Sequence, residues 1–384
     1  MRGASAGDVT LLEDAYILCE AGRITAAGSM RELELQEGDV EELDGSGRCA
    51  IPGLVDCHTH ACFVGDRVEE FALRARGATY EELHAAGGGI LSTVEATRAA
   101  GEEKLVDAVT RHRDAMRQHG TTTFEAKSGY GLDRETELAS LRAIRAAGGV
   151  ATWLGAHAVP PEFGDADVYL DFALASVLPE AARLAAAADV FLERNAFDAT
   201  QARRYLSACR DAGLTLRLHG DQFTESGAVP LAVELEARSV DHLEATGDAG
   251  IETLARSDVT AVLLPASALF LARPMPRARD LLDRGAIVAL ATDFNPGSAY
   301  CESLPLVASL AATQLGMGLE EILCALTVNP AHVLGCGDRK GRLAPGYDAD
   351  IVLLGEPDWR YLAYHLAGDV VETVLVGGEP LALG

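Results

Sequence analysis

The stretch Ile51-Pro52-Gly53-Leu54-Val55-Asp56-Cys57-His58-Thr59-His60 decides how this chain is read. Its apolar opening predicts a buried strand. Side chains alternate faces along a strand, so His58 and His60 point to the same side. Two imidazoles on one side at a strand's end make half of a metal site. A single histidine there would more simply be satisfied by backbone groups. The paired H-x-H arrangement closing an apolar run is more specific. Cys57 falls on the opposite face and reads as packing.

Downstream, the pattern strand, loop, helix repeats. The strands are expected to end near His58, Glu125, His157, Glu193, His219, His242, Pro265 and Asp293. Helices are expected over Ala139–Ala147, Ala199–Ala212 and Arg277–Arg284, each followed by Gly or ending on the residue before one. Asp198 with Gln201 three residues on forms a capping box. Eight such units predict an α/β fold, a closed parallel (β/α)8 barrel over residues 51–338. Both chain ends have a different texture. Val9–Leu12, Ala15–Leu18 and Gly22–Gly28 read as short strands, as do Ala349–Leu354 and Val370–Val376. We expect residues 1–50 and 339–384 to pair into one small β-sandwich domain.

The charge balance narrows the function classes. Acidic residues number 58 against 32 basic ones, a formal net charge of -26 over 384 residues. That excess argues against nucleic-acid or anionic-membrane partners. It leaves open a small anionic substrate, provided local cations line its pocket. No run approaches a transmembrane helix, and the first residues lack the basic start and apolar core of a secretory leader. The eight cysteines show no paired spacing, so free thiols and a cytoplasmic location are expected.

In a parallel barrel the C-terminal strand ends share one mouth. His58, His60, His157, His219, His242 and Asp293 all fall there, which places half of the ten histidines at strand ends. Three imidazoles and a carboxylate suit a divalent transition ion, zinc or iron(II). The fourth strand, Val190–Glu193, ends without a Lys that could bridge two ions, which favours a single ion per chain. Asp293 alone could be a helix cap. His112 lies on the apolar stripe of Leu105, Val109 and Met116 and reads as a core histidine. Gly87-Gly88-Gly89 has no preceding strand and no following Lys-Ser/Thr, so it reads as a loop over the site, not a phosphate cradle.

These features resemble the amidohydrolase superfamily. The blocks Asp66-Arg67, Gly87–Thr93, Lys127–Leu132, Gly155–Pro160 and Thr292–Ser298 are similar to one branch of it, the imidazolonepropionase family. The similarity runs from about residue 50 to the C-terminus, and its K-S-G-Y-G-L and T-D-F-N-P-G-S blocks are the most specific. It implies hydrolytic opening of 4-imidazolone-5-propanoate to N-formimidoyl-L-glutamate, a step of histidine degradation. It implies His58, His60, His219 and Asp293 as metal ligands, and His242 as a catalytic histidine beside the metal. Arg67, Tyr80, Tyr130, His157, Asn295, Gly297 and Ser298 match the substrate pocket, and a homodimer is what the resemblance implies.

Position 222 is Gln where family members carry Glu or Gln. An amide can hydrogen-bond a ring nitrogen but cannot take a proton. Gln222 is therefore given a binding role, and acid–base work is left to Asp293 and His242, with Glu193 as the next candidate base. Taken without the resemblance, Arg67 could be a surface ion pair with Asp66 or Glu69, and Tyr130 could simply shape a turn. Two rival functions stand beside the main one. A relative could deaminate a nucleobase or open another cyclic amide. A relative that has lost catalysis could serve as a scaffold, although such proteins usually lack the ligands.

Overall fold

A computed structural model describes residues 1, 7–33, 41–77, 89–194 and 196–382. Eight parallel strands form one sheet in sequence order: β4 (Leu54–Asp56), β5 (Thr121–Lys127), β6 (Val150–Ala156), β7 (Ala187–Leu192), β8 (Thr215–Gly220), β9 (Ser239–His242), β10 (Thr260–Leu263) and β11 (Ile287–Leu290). Strands such as Thr260–Leu263 and Ile287–Leu290 are buried along their whole length. Apolar runs without alternation are what a parallel sheet covered on both faces requires.

The sheet closes just beyond the strand ends. The Asp293 N–H donates to the His58 carbonyl at 3.0 Å, and the His60 N–H to the Phe294 carbonyl at 2.8 Å. Below this seam Thr292 Oγ1 donates to Asp56 Oδ2 at 2.6 Å. The first and last strands are thus joined by the backbone of the residues that carry the candidate ligands.

The helices follow their sequence signals. The helix Glu102–Gln118 buries Leu105, Ala108, Val109, His112 and Met116, a stripe at three- and four-residue spacing. His112 Nδ1–H donates to the Ala61 carbonyl (2.8 Å) and its ring stacks on Phe63, as a core histidine should. The Asp198–Gln201 capping box opens the helix Ala199–Asp211. Gly148, Gly213 and Gly285 take φ values of 80°, 90° and 88° directly after the helix caps. The next N–H in each case reaches back to the last helical turn, for example Gly149 to the Ile144 carbonyl at 2.9 Å.

A small β domain is built from both ends of the chain. Strand β12 (Ile351–Leu354) pairs antiparallel with β3 (Cys49–Pro52) on one side and β13 (Val371–Val376) on the other, and β14 (Glu379–Pro380) completes that sheet. A separate hairpin, β1 (Ala15–Glu20) with β2 (Arg23–Ser29), is tied to it where the Ile24 N–H meets the Tyr347 carbonyl at 2.8 Å. Two expectations change in detail. Val9–Leu12 forms no strand, and Leu11 and Leu12 are exposed. The apolar run that opens the chain's central motif is two strands, not one. It breaks at Gly53, whose N–H goes to Asp350 of the small domain while the Leu54 N–H goes to Gly120 of the barrel. A Cβ at Gly53 would lie 2.3 Å from Thr122 Oγ1, so only glycine passes there.

Among the described residues no helix is long and apolar enough to cross a membrane. Gly220, directly after His219, shows how tightly the barrel wall is packed: a Cβ there would sit 2.0 Å from the Ala228 Cβ. Gly220→Ala should therefore lower stability by about 1–3 kcal/mol, the usual cost of overpacking. Urea unfolding of the purified variant checks this, and an unchanged midpoint would show that the helix starting at Ala228 yields freely.

Candidate active site

His58, His60, His219, His242 and Asp293 are all buried and meet at the barrel mouth. The Nε2 atoms of His60 and His219 face each other at 3.1 Å. Asp293 Oδ1 lies 3.6 Å from His58 Nε2 and 3.5 Å from His60 Nε2. His58, His60 and Asp293 form one group whose ligand atoms lie within 4.8 Å of one another, and His58, His219 and His242 form a second. His242, read from sequence as lying beside the metal, is thus itself within ligand reach.

Carboxylates beneath the site fix the rings. His58 Nδ1 is 2.5 Å from Asp241 Oδ2, and His219 Nδ1 is 3.0 Å from Asp189 Oδ1. An Nδ1–H held by a carboxylate leaves Nε2 as the lone-pair side, turned toward the cluster. Burial pushes His58 and His60 well below the ordinary imidazole range, helped by Lys127 and His219 at His58 and by His219 at His60. Neutral imidazoles are the form that binds a metal. Among the described residues, His58 Nε2 and Asp293 Oδ2 are buried without a hydrogen-bond partner. Buried acceptors left without a partner are costly unless a cation satisfies them. The donor set therefore fits a metal ion.

Asp189 and Asp241 are in turn held by a buried cation. Lys127 Nζ lies 2.8 Å from Glu125 Oε1, 2.8 Å from Asp189 Oδ2 and 4.0 Å from Asp241 Oδ2. Arg217 Nη1 reaches Glu125 Oε1 at 2.9 Å, and Glu125 Oε2 accepts the Thr59 N–H at 3.1 Å. Burial opposes the Lys127 charge, yet Asp189, Glu125 and Asp241 more than offset it and hold the ammonium above its usual range. Sequence reasoning missed these supporting groups. The available signal was a charged residue on the inward face of an otherwise apolar strand: Glu125 and Lys127 at i, i+2, Asp189 in Ala187–Leu192, and Asp241 beside His242.

Two residues of the cluster, His242 and Asp293, carry unusual backbone. His242 and Leu243 have φ of 86° and 71°, and Asp293 has φ of 56°. Side chains other than glycine seldom adopt this region, and such residues gather where geometry serves chemistry. Burial raises Asp293 above the usual carboxylate range, with His242 and His219 acting the other way. At His242 burial opposes the charged ring, but Glu244, 3.5 Å from Nδ1, and Asp293 prevail, and the net direction is upward.

The remaining predicted pocket residues fall as follows. The Tyr130 ring lies 6.0 Å from His60 and 5.3 Å from His157. His157 Nδ1 donates to the Gly129 carbonyl at 2.9 Å, and burial, then His219, push the ring down to about 3. Gln222 is buried. Arg67 pairs with Glu70, through Nε at 2.8 Å and Nη2 at 2.6 Å, not with Asp66 or Glu69. Its Nη1 lies over Gly297, where a Cβ would come within 2.0 Å of it.

Asn295 holds its own loop. Its Oδ1 accepts the Gly297 and Ser298 N–H groups at 2.8 and 2.7 Å, and its Nδ2 donates to the Asp293 carbonyl at 2.6 Å. Ser298 Oγ lies 2.8 Å from the same Nδ2. Tyr80 lies outside the described residues. Glu193, the fallback base, is already committed: it accepts the Phe223 and Thr224 N–H groups at 2.8 and 3.1 Å and anchors the segment after Gln222.

Fold and cluster define an eight-stranded α/β barrel with a histidine-rich site at its mouth that fits a metal ion. The amidohydrolase family model matches residues 49–381. A protein of Rubrobacter xylanophilus named imidazolonepropionase is 58% identical over 393 residues, spanning 100% of this chain and 95% of that one. One of the same name from Chloroflexus aggregans is 44% identical over 397 residues, spanning 98% and 93%. The chain belongs to the amidohydrolase family and, within it, to the imidazolonepropionases. A solved structure of an adenosine deaminase from Xanthomonas campestris with bound zinc has the same fold, with a TM-score of 0.68 at 18% identity over 96% of this chain and 88% of that one.

The carboxylates beneath the rings lead to a direct test. Asp241→Asn keeps the shape but removes the charge that orients His58. Loss of such an outer contact typically weakens metal binding about 10- to 100-fold. Titration with a competing chelator measures it, and wild-type affinity would show that His58 needs no such support.

Proposed function

We propose that this chain hydrolyses the cyclic amide of 4-imidazolone-5-propanoate to N-formimidoyl-L-glutamate, a step of histidine degradation. The observation that carries this reading is the full-length similarity to proteins named imidazolonepropionase, at 58% and 44% identity, joined to the convergence of His58, His60, His219 and Asp293. Those four residues are the ones that would hold the ion, with His242 close by. Three imidazoles and a carboxylate suit zinc or iron(II), one ion per chain. When bound, such an ion lowers the pKa of water toward neutrality and supplies the nucleophile at pH 7.

The protein groups then divide the work. Asp293 accepts the proton of the attacking water as the ring carbonyl carbon is attacked, and returns it to the departing ring nitrogen when the C–N bond breaks. His242, whose Nδ1 lies 3.5 Å from Glu244, steadies the oxyanion that develops. The carbonyl becomes the α-carboxylate of the product. Arg67, with Tyr130 and Tyr80, binds the propionate tail by a charge-assisted hydrogen bond from the end of the guanidinium that Glu70 leaves free. His157 and Gln222 read the imidazolone ring, while Asn295, Gly297 and Ser298 shape the wall against which Arg67 lies.

The activity itself is tested with freshly prepared imidazolone propionate and metal-loaded protein, following the ultraviolet absorbance. Decay no faster than in buffer would overturn the reading. Asp293→Asn retains an oxygen for the ion but cannot take a proton near neutral pH. It should keep part of its metal and lose about 10²- to 10⁴-fold in kcat; near-normal turnover with metal bound would assign the base elsewhere.

Arg67→Met should act differently, mainly raising KM. Loss of a charge-assisted hydrogen bond should cost about 2 kcal/mol, or roughly thirtyfold in kcat/KM. An unchanged value would mean that Arg67 does not touch the substrate.

A further inference from the structure

Glu137 is buried at 1% relative exposure, yet no step of the reaction uses it. It sits in the first turn of the helix Arg134–Ala146, which Asp133 caps by accepting the Thr136 N–H. Its carboxylate turns back over the preceding loop. Oε1 accepts the N–H groups of Gly129, Gly131 and Leu132 at 3.0, 2.9 and 2.9 Å, and Oε2 lies 3.2 Å from the Gly129 N. Three backbone donors on one buried carboxylate exceed what anchoring a helix end requires. They belong to the residues that flank Tyr130.

The loop has little freedom elsewhere. A Cβ at Gly131 would lie 2.6 Å from the Glu137 backbone N, and one at Gly129 would lie 2.8 Å from the Leu154 carbonyl oxygen. Leu132 is held at φ 54°, a costly value for leucine, with its N–H on Glu137. From the other side Arg98 Nε donates to the Gly131 carbonyl at 2.6 Å. The Gly129 carbonyl in turn receives His157 Nδ1–H, which fixes that ring's tautomer.

We propose that Glu137 is a positioning residue for the substrate pocket. By gathering the N–H groups of Gly129, Gly131 and Leu132 it sets the place of the Tyr130 ring and, through the Gly129 carbonyl, the orientation of His157. This rests on the reading of Tyr130 and His157 as groups that bind the substrate. Glu137 itself touches neither the substrate nor the metal ligands. Its loss therefore shows in binding, because a displaced Tyr130 weakens a contact held equally in the ground and transition states.

The test uses the full-length, metal-loaded protein and the variants Glu137→Gln, Tyr130→Phe, their double and Arg98→Met. Glu137→Gln is expected to raise KM about tenfold with kcat within about twofold and with wild-type metal content. Arg98→Met, at a partly exposed position, should raise KM in the same direction by a smaller factor, and it stands in if Glu137→Gln does not fold. The double variant should fall short of the product of the two single effects, since both changes act on the Tyr130 contact.

A lower melting temperature with wild-type KM in the folded enzyme, for Glu137→Gln or, in its absence, Arg98→Met, would overturn the proposal and make the clamp purely structural. Multiplying effects in the double variant would also overturn it. Wild-type KM in Tyr130→Phe would refute the pocket reading itself, a separate result read from a separate protein.

Discussion

The seam between the first and eighth barrel strands is the constraint on which the site depends. Two backbone hydrogen bonds close it, from Asp293 N–H to His58 and from His60 N–H to Phe294. Three of the four residues making these bonds, His58, His60 and Asp293, also give their side chains to the cluster. Ligands at opposite ends of the barrel sequence meet because the sheet closes, and a one-residue slip would turn alternate side chains to the other face. Asp56, pinned by Thr292, locks the register one layer below. Gly53 sets the entry to the first strand, since only a residue without a Cβ can leave the small sheet and pass Thr122 there. The small β domain thus contributes to the site at a distance, by fixing where the barrel's first strand begins.

Below the seam, electrostatics does what packing cannot. Glu125, Asp189, Asp241 and Asp293 are buried carboxylates, while Lys127 and Arg217 are the buried cations set among them. In their ordinary charge states these six groups leave negative charge in excess, which a divalent ion would offset. A buried ion pair is seldom a net source of stability, because desolvation consumes much of its Coulomb gain. Its value here is geometric: it holds Asp241 and Asp189 where each can grip one imidazole by its Nδ1–H. Free imidazole rings rotate about two bonds, and a metal site with loose rings binds weakly.

Much of this was legible in the sequence, and for definable reasons. The eight strands announced themselves as short runs, seven of them ending in polar groups and one at Pro265, and helix ends were marked by Gly148, Gly213 and Gly285. The convergence of His58, His60, His219 and Asp293 followed from barrel geometry alone, which puts every C-terminal strand end at one mouth. What was not legible depends on packing across the barrel. Asp189 and Asp241 look like isolated acids in apolar strands until the rings they hold are located. Val9–Leu12 has the composition of a strand but finds no partner, because strand propensity is a statement about neighbours. Arg67 was read as a pocket residue, with a surface pair to Asp66 or Glu69 as the plainer alternative. The helix Val68–Ala75 instead presents Glu70, three residues on. Gly53 was hidden inside a continuous apolar run, since nothing local distinguishes one strand from two that belong to different sheets.

A chain with a formal charge of -26 that takes an anionic substrate presents an apparent conflict. Distance resolves it. At physiological ionic strength, exposed charges farther than roughly 8 Å are largely screened. Many of the surface acids are also paired with arginines, as in Arg142 with Glu102 and Arg277 with Asp248. The local balance at the mouth is different. Arg67 is mostly buried with Nη1 over Gly297, and Arg74 Nη2 donates to the Gly297 carbonyl at 3.2 Å, so two guanidinium groups border one wall. Glu70 neutralises part of Arg67, yet it also fixes the guanidinium plane and accepts the Gly89 N–H at 2.8 Å. A planar donor held in place loses less conformational freedom on binding a carboxylate than a free one. The same acid that reduces the positive charge there therefore makes the remaining charge better directed, and on the proposed role of Arg67 an anionic tail would be selected by orientation at close range rather than by the field of the whole protein.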